Sequence, residues 1–388
     1  MERAFAFAVL FLSTLAAAAP AAARTWRVAP DGTGDAPTIQ AAVDSARAGD
    51  LVLAAPGRYS WTNQGSGDDY ALIRFLRGAT GFTVRAEAGP ELTIVDAERR
   101  GRVIYIQGGD DSRVTIEGFT ITGGQAPLFG DFCGGGLLAH LSSPTFRNCV
   151  FAGNAAERGG GIYYAGVSGP RFESCVFRGN RAARGAAIYL VNSSLTPVFS
   201  KCVIRDNVAT DRGGAIYAYH FGLSLEGCAV YDNEGGAKGG ALYGERLYPS
   251  TVTGCTIAGN RADEGSALYL FVSETQTLSL TIIAGNSDGP PLVTSQSPLW
   301  AWCCDVFGNA VSDEWPAGTV DRGGNISLDP LFCGDRSPAK LSLRADSPCL
   351  PDNQPGDILC GLIGAFEAMC GAVGVERSTW GSMKNLYR

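Results

Sequence analysis

Short runs in which apolar residues alternate with small or polar ones fill the middle of the chain, and they return at a fixed interval. In the stretch from Gly159 to Ala186, GGGIYYAG alternates as a strand, PRF opens a second short strand after Gly169, CVF makes a third after a bend, and GN is a turn. The third phrase recurs as CVFAGN, CVFRGN, CVIRDN, CAVYDN and CTIAGN, placing Cys149, Cys175, Cys202, Cys228 and Cys255 at steps of 26 or 27 residues. The first keeps pace with it, as GGGIYY, GAAIYL, GGAIYA, GGALYG and GSALYL. Such a period marks units that bury their apolar faces only by stacking on copies of themselves. Three short strands per period, with nothing repeating at 3.6, predict an all-β chain: a right-handed parallel β-helix solenoid whose strands pair one turn apart at roughly 4.8 Å.

The residue before each cysteine, Asn148, Ser174, Lys201, Gly227 or Gly254, is mostly of a type that accepts turn or left-handed backbone. GFTITGG from Gly118, TIIAGN from Thr281 and CDVFGN from Cys304 are degenerate copies that extend the stack on both sides. Near the start, Thr38, Ile39, Ala42, Val43 and Ala46 share one helical face, which predicts a short amphipathic helix plugging the open apolar end of the solenoid.

The outermost segments divide the chain further. Residues 1–23 have the short Arg3-bearing start, apolar run and Ala21-x-Ala23 ending of a secretory signal, so the protein is expected to be exported, to the medium or to a cell surface. The apolar run falls short of the roughly 20 residues of a membrane span, and no later segment approaches that length. Residues 24–325 then form the capped β-helix, 326–371 a cysteine-containing closing region, and 372–388 a basic aromatic tail, read either as a sorting signal or as a frayed end. Fifty-two glycines against 18% charged residues agree with many tight turns, and a net charge of -7 argues against a nucleic-acid partner.

In register, each repeated side chain becomes a column along the stack. Cys149 and Phe151, like their equivalents, share the inward face, so the five cysteines form a buried ladder rather than a redox or metal site. No CxxC occurs and only two histidines exist, which argues against a zinc site. Cys333, Cys349, Cys360 and Cys370 differ in lying in the loop-rich end, where disulfides would staple a segment with little core, in a pairing that the spacing leaves open. Asn154, Asn180, Asn207, Asn233, Asn260, Asn286 and Asn309 form the most regular column and are assigned to holding turn and register.

Two columns are candidate glycan-binding surfaces. Tyr163, Tyr189, Tyr217, Tyr243 and Tyr269 each follow an aliphatic residue, so if the aliphatics point in, the rings line the outer face and suit sugar stacking. A self-stacking ladder that stabilises the sheet is the alternative, and replacing Tyr189, Tyr217 and Tyr243 by serine separates the two by whether the fold survives. Arg158, Arg184, Arg212 and Lys238, followed by Glu264, form a cationic column beside them, either solvated and compensated by Glu157 and Asp211 or suited to an acidic polysaccharide.

The opening segment resembles the entry of pectin-lyase-like β-helix proteins. The pairing of phrases such as Phe151 with Asn154, Phe177 with Asn180 and Gly213-Gly214-Ala215-Ile216 resembles the repeats of chlamydial polymorphic membrane proteins. Asp329-Pro330-Leu331-Phe332, Asp346-Ser347-Pro348 and Ile363-Gly364-Ala365-Phe366-Glu367 resemble the closing, anchor-bearing regions of bacterial surface β-helix proteins. The resemblance implies an exported, often surface-displayed β-helix without implying one activity. Lyases of this architecture use an arginine or lysine base, frequently with calcium, and hydrolases use paired acids. Here Asp68, Asp69, Asp110, Asp111, Asp131, Asp206 and Asp232 are scattered, and the calcium nonapeptide is missing, so no cofactor is expected, with calcium left as an alternative that no motif supports. The one local break in the repeat, Gly123 to Gly136, leaves Asp131, His140 and Arg147 as catalytic candidates, with an enlarged loop as the simpler reading. Regular columns suit repeated binding better than chemistry. The expectation is non-catalytic binding of a glycan or surface partner. A polysaccharide lyase or hydrolase and a purely structural surface component are the alternatives.

Overall fold

The computed structural model describes residues 22–370 except 66–69, 77–80, 109–112, 127–131, 167–168, 193–194, 335–339 and 357–359. The leader up to residue 21, the tail from residue 371, and Asp68, Asp69, Asp110, Asp111 and Asp131 lie outside the described residues.

Each repeat contributes one strand to each of three parallel sheets of 12, 9 and 10 strands, all winding along one axis. In the unit discussed above, Ile162–Ala165 joins the nine-stranded sheet, Arg171–Glu173 the twelve-stranded sheet and Val176–Arg178 the ten-stranded sheet. These are called here the second, first and third sheets. Equivalent residues pair in register, Phe146 with Phe172 and then Phe199, and Phe151 with Phe177 and then Ile204. The lumen is therefore filled by stacked like side chains, with the Phe146, Phe172 and Phe199 rings 5.4 and 4.8 Å apart between centroids.

The bend between the first and third sheets is left-handed in every full coil: Asn148, Ser174, Lys201, Gly227 and Gly254 have φ of 47–61°. Behind it the cysteines are fully buried, and their thiols donate to carbonyls of the coil below, as Cys202 Sγ does to Phe172 O at 3.3 Å. Burial pushes the thiols of Cys149, Cys202 and Cys255 well above their ordinary range, which keeps them protonated and inert. The asparagines form a continuous amide ladder. Asn207 N and Nδ2 both donate to Asn233 Oδ1, at 3.1 and 2.9 Å, and Nδ2 also reaches Phe177 O in the coil below. Gly124 N closes the ladder at Asn154 Oδ1, and Asp313 Oδ1 closes it at Asn309.

The stretch after each asparagine is itself regular. Arg181–Arg184 pairs with Val208–Arg212, Arg261–Ala262 with Ser287–Asp288, and single bridges continue this fourth ladder between them. Because successive coils have nearly equal length, these segments stack as faithfully as the strands do. They re-enter the second sheet through glycines such as Gly213, at φ +66°, and Gly214, where an added Cβ would lie 2.3 Å from Gly240 O.

At the N-terminal end the helix Ile39–Ser45 is capped by Thr38, whose hydroxyl accepts from Ala41 N at 3.0 Å. It buries Ile39, Ala42 and Val43 against the lumen. At the other end the chain leaves the axis after Val320–Asp321 and runs back along the outside of the third sheet. Cys303 is joined to Cys360 and Cys333 to Cys370. The expectation that the four late cysteines staple the end among themselves is corrected: Cys349 stays a buried free thiol, and Cys303 takes a place in its stead. Cys304 fills the ladder slot, so Cys303 occupies the left-handed bend at φ 52° and meets the returning segment.

Candidate functional site

Ile188 and Leu190 enter the lumen, so Tyr189 between them projects from the outer face of the second sheet. Register places Tyr163, Tyr189, Tyr217, Tyr243 and Tyr269 in one line. Their rings stack with centroids 5.3, 4.6, 5.0 and 5.4 Å apart, nearly coplanar in orientation. Tyr189, Tyr217, Tyr243 and Tyr269 are 7%, 4%, 3% and 7% exposed. The direction read from the alternation holds, but open ring faces are absent because each is covered by the next tyrosine. The fourth ladder leans over the stack: the Arg212 guanidinium lies 5.3 Å from the Tyr243 ring and Lys238 Nζ 4.3 Å from the Tyr269 ring. What remains at the rim is hydroxyl. Arg212 Nη1 donates to Tyr243 Oη at 3.3 Å, Lys238 Nζ donates to Tyr269 Oη at 2.8 Å, and Tyr243 Oη donates to Glu245 Oε2 at 3.2 Å. Burial raises the phenols of Tyr189, Tyr217 and Tyr243, so they stay neutral.

Arg158, Arg184, Arg212, Lys238 and Glu264 face one another coil by coil, as the register requires. Carboxylates sit between the cations. Asp211 accepts from Arg184 Nε at 2.7 Å and lies 3.4 Å from Arg212, and Glu264 lies 3.2 Å from Lys238. Arg158 is exposed at the end of this row. The column is thus largely compensated within itself, which weakens its pull on a polyanion.

Of the catalytic candidates, His140 and Arg147 lie among the described residues, on different sheets. His140 ends a strand of the second sheet, its ring 6.0 Å from that of Tyr163. Arg147 sits on the outer face of the first sheet and donates to Glu173 at 2.7 Å. Among the described residues no group of three or more His, Cys, Asp or Glu is placed to hold a metal ion.

A different aromatic surface, passed over by the repeat alignment, lies on the first sheet. In Leu299–Trp302 the alternation turns Leu299 and Ala301 inward, so Trp300 and Trp302 stand side by side on the outer face, 38% and 46% exposed. Their coil-below partners are Thr277 and Ser279, and Thr251 and Thr253 follow one coil further. The result is two indoles beside a flat strip of hydroxyls, with the Arg322 guanidinium 4.2 Å from the Trp300 ring. The signal was the W-A-W spacing in LWAW, which reads as alternation once a strand is assigned there.

Residues 91–246 match the family model described as the right handed beta helix region. The chain folds as a right-handed parallel β-helix. Among solved structures it is similar to the crystal structure of pectate lyase Pel9A, with a TM-score of 0.58 at 15% identity over 89% of this chain and 96% of that one. At that identity the likeness establishes the shared fold. No curated protein matches the sequence.

Proposed function

We propose that this protein is an exported, non-catalytic polysaccharide-binding β-helix that engages acidic glycans through the outer face of its first sheet. The observation that carries the reading is the pair of exposed indoles, Trp300 and Trp302, on a flat hydroxyl-bearing surface. Indole faces accept the apolar face of a pyranose, hydroxyls accept its polar edge, and Arg322 supplies a cation for a uronate carboxylate. The fold shared with a pectate lyase supports a polysaccharide partner, and the scattered acids and internally compensated cations favour binding over cleavage.

The test is affinity electrophoresis and calorimetry against polygalacturonate and a neutral glucan, with product assays run alongside. Wild-type protein is expected to bind the uronate polymer. Trp300→Ala combined with Trp302→Ala should weaken binding about tenfold or more without changing thermal stability. Arg322→Gln should narrow the preference for the charged polymer. Unsaturated or new reducing-end products would overturn the non-catalytic part of the reading, and unaltered binding by the double variant would overturn the location.

A further inference from the structure

The turn after each third-sheet strand holds a left-handed residue in every coil: Gly153, Gly179, Asp206, Asp232, Gly259, Gly285 and Gly308. Where the C-terminal segment returns along the outside, the residue is glycine in three consecutive coils, preceded by Ala258, Ala284 and Phe307. A Cβ added to Gly285 or Gly308 meets no atom within 4 Å. The glycines therefore leave a trench beside Ala258 and Ala284, which pack against the returning segment. Pro330, Phe332 and Leu341 of the returning segment wall one side of it, leaving an open groove of about 330 Å3. That is the size and lining of a small-molecule site, mostly apolar with few polar groups.

The polar groups have unequal roles. Lys340 forms an ion pair with Asp232 at one edge. Asp329 accepts Leu331 N at 2.9 Å through Oδ1 and, among the described residues, forms no ion pair. The trench thus presents two aromatic side chains, Phe307 and Phe332, a Gly/Ala floor, and one carboxylate uncompensated by a cation.

We propose that this trench is a second binding site and that it takes a single amino-sugar residue, its ring face against the phenylalanines and its ammonium on Asp329. A pyranose face suits the aromatic walls, the ammonium forms a charge-assisted hydrogen bond with the carboxylate, and a uronate would meet repulsion from Asp329. The site is on a different sheet from the tryptophans and stands without them.

Calorimetry with methyl glucosaminide, methyl N-acetylglucosaminide, methyl glucoside and glucuronate tests it on the full chain. The glucosaminide is expected to saturate and to bind about tenfold tighter than the glucoside or the acetylated sugar, with glucuronate weakest. Asp329→Asn keeps the acceptor for Leu331 N and should erase the preference for the free amine. Gly285→Asn should fill the trench and abolish binding of all four, with an unchanged melting temperature, since Asp206 and Asp232 show that the repeat accepts a side chain in this left-handed turn. The double tryptophan variant should bind the amino sugar as wild type does. The proposal is overturned if glucuronate binds as well as the glucosaminide, if acetylation leaves affinity unchanged, if folded Gly285→Asn protein binds undiminished, or if none of the four sugars saturates. The free and acetylated amine comparison on unmodified protein decides the matter even if both variants fail to fold.

Discussion

Asp305 occupies a slot filled elsewhere by Val150, Val176, Val203, Ala229, Thr256 and Ile282, so the last full coil places a carboxyl where the repeat otherwise places mostly apolar side chains. It is 0% exposed, because the returning segment covers it: Leu328 N donates to Oδ1 at 3.1 Å and Cys349 Sγ to Oδ2 at 3.2 Å. Two hydrogen bonds do not offset its removal from water, and burial pushes its pKa up to about 6 from 3.8. A raised folded-state pKa means that the protonated form is the one the fold favours. Asp305 thus contributes stability that is full below 3.8 and is lost as pH rises through about 6. A shift of this size corresponds to about 3 kcal/mol. Asp305→Asn should therefore melt higher than wild type at neutral pH and flatten the pH dependence of melting across that window. Melting scans across pH check this, and parallel wild-type and variant curves would show that the carboxylate is not held as described.

At the scale of the strand and its column, the tyrosine stack belongs to the structural framework. Tyr217 lies between Tyr189 and Tyr243 at 4.6 and 5.0 Å, so removing its ring opens a gap bounded by two aromatic faces. Tyr217→Ser is expected to cost about 3 kcal/mol or more, as other buried aromatic truncations do. Denaturant midpoints measure it, while polygalacturonate binding by the folded variant should match wild type. An unchanged midpoint would mean that the stack contributes little and would return the rings to consideration as a binding surface. The same column shows what the sequence could disclose. Direction was legible because alternation across a strand is geometric, and the left-handed bends at Asn148, Gly227 and Gly254 were legible because those residue types tolerate that backbone, with Ser174 and Lys201 following by register. Self-stacking of the tyrosines was one of the two readings the sequence offered; the cover over their rims was not legible, since it depends on the fourth ladder, whose residues Arg181–Arg184 and Val208–Arg212 pair through the equal length of successive coils. Trp300 and Trp302 were hidden for a related reason: they fall in a coil whose repeat phrase is degraded, so no column drew attention to them.

A solenoid whose coils touch only their neighbours is limited by its ends, and the two ends here are finished in different ways. The helix Ile39–Ser45 covers the lumen at one end. At the other the described residues between Lys340 and Phe366 lie on the side of the stack, with Leu341 and Phe366 in the apolar cluster that contains Val203, Ala229 and Ala258. Its approach is close at Gly364, at φ +103°, whose N donates to Leu280 O at 2.7 Å and where a Cβ would fall 2.6 Å from Ile282 Cδ1. Ala365 N donates to Thr256 Oγ1 at 3.0 Å. Besides these apolar and hydrogen-bonded contacts, disulfides secure the return covalently: Cys303 to Cys360 spans 57 residues and fixes the segment to the last coil, and Cys333 to Cys370 closes the segment on itself. A crosslink of that span is worth about 4 kcal/mol in the chain-entropy account. Since stability in a stack is local, the loss should be local too. In Cys303→Ser/Cys360→Ser protein, hydrogen exchange is expected to quicken across 341–366 and in the strands Thr256–Ala258 and Ile282–Ala284 that the segment covers, while Ile162–Ala165, on another sheet, keeps its protection. Uniform acceleration along the whole chain would mean that the returning segment stabilises the solenoid as one cooperative unit, and no acceleration would mean that its packing alone holds it in place.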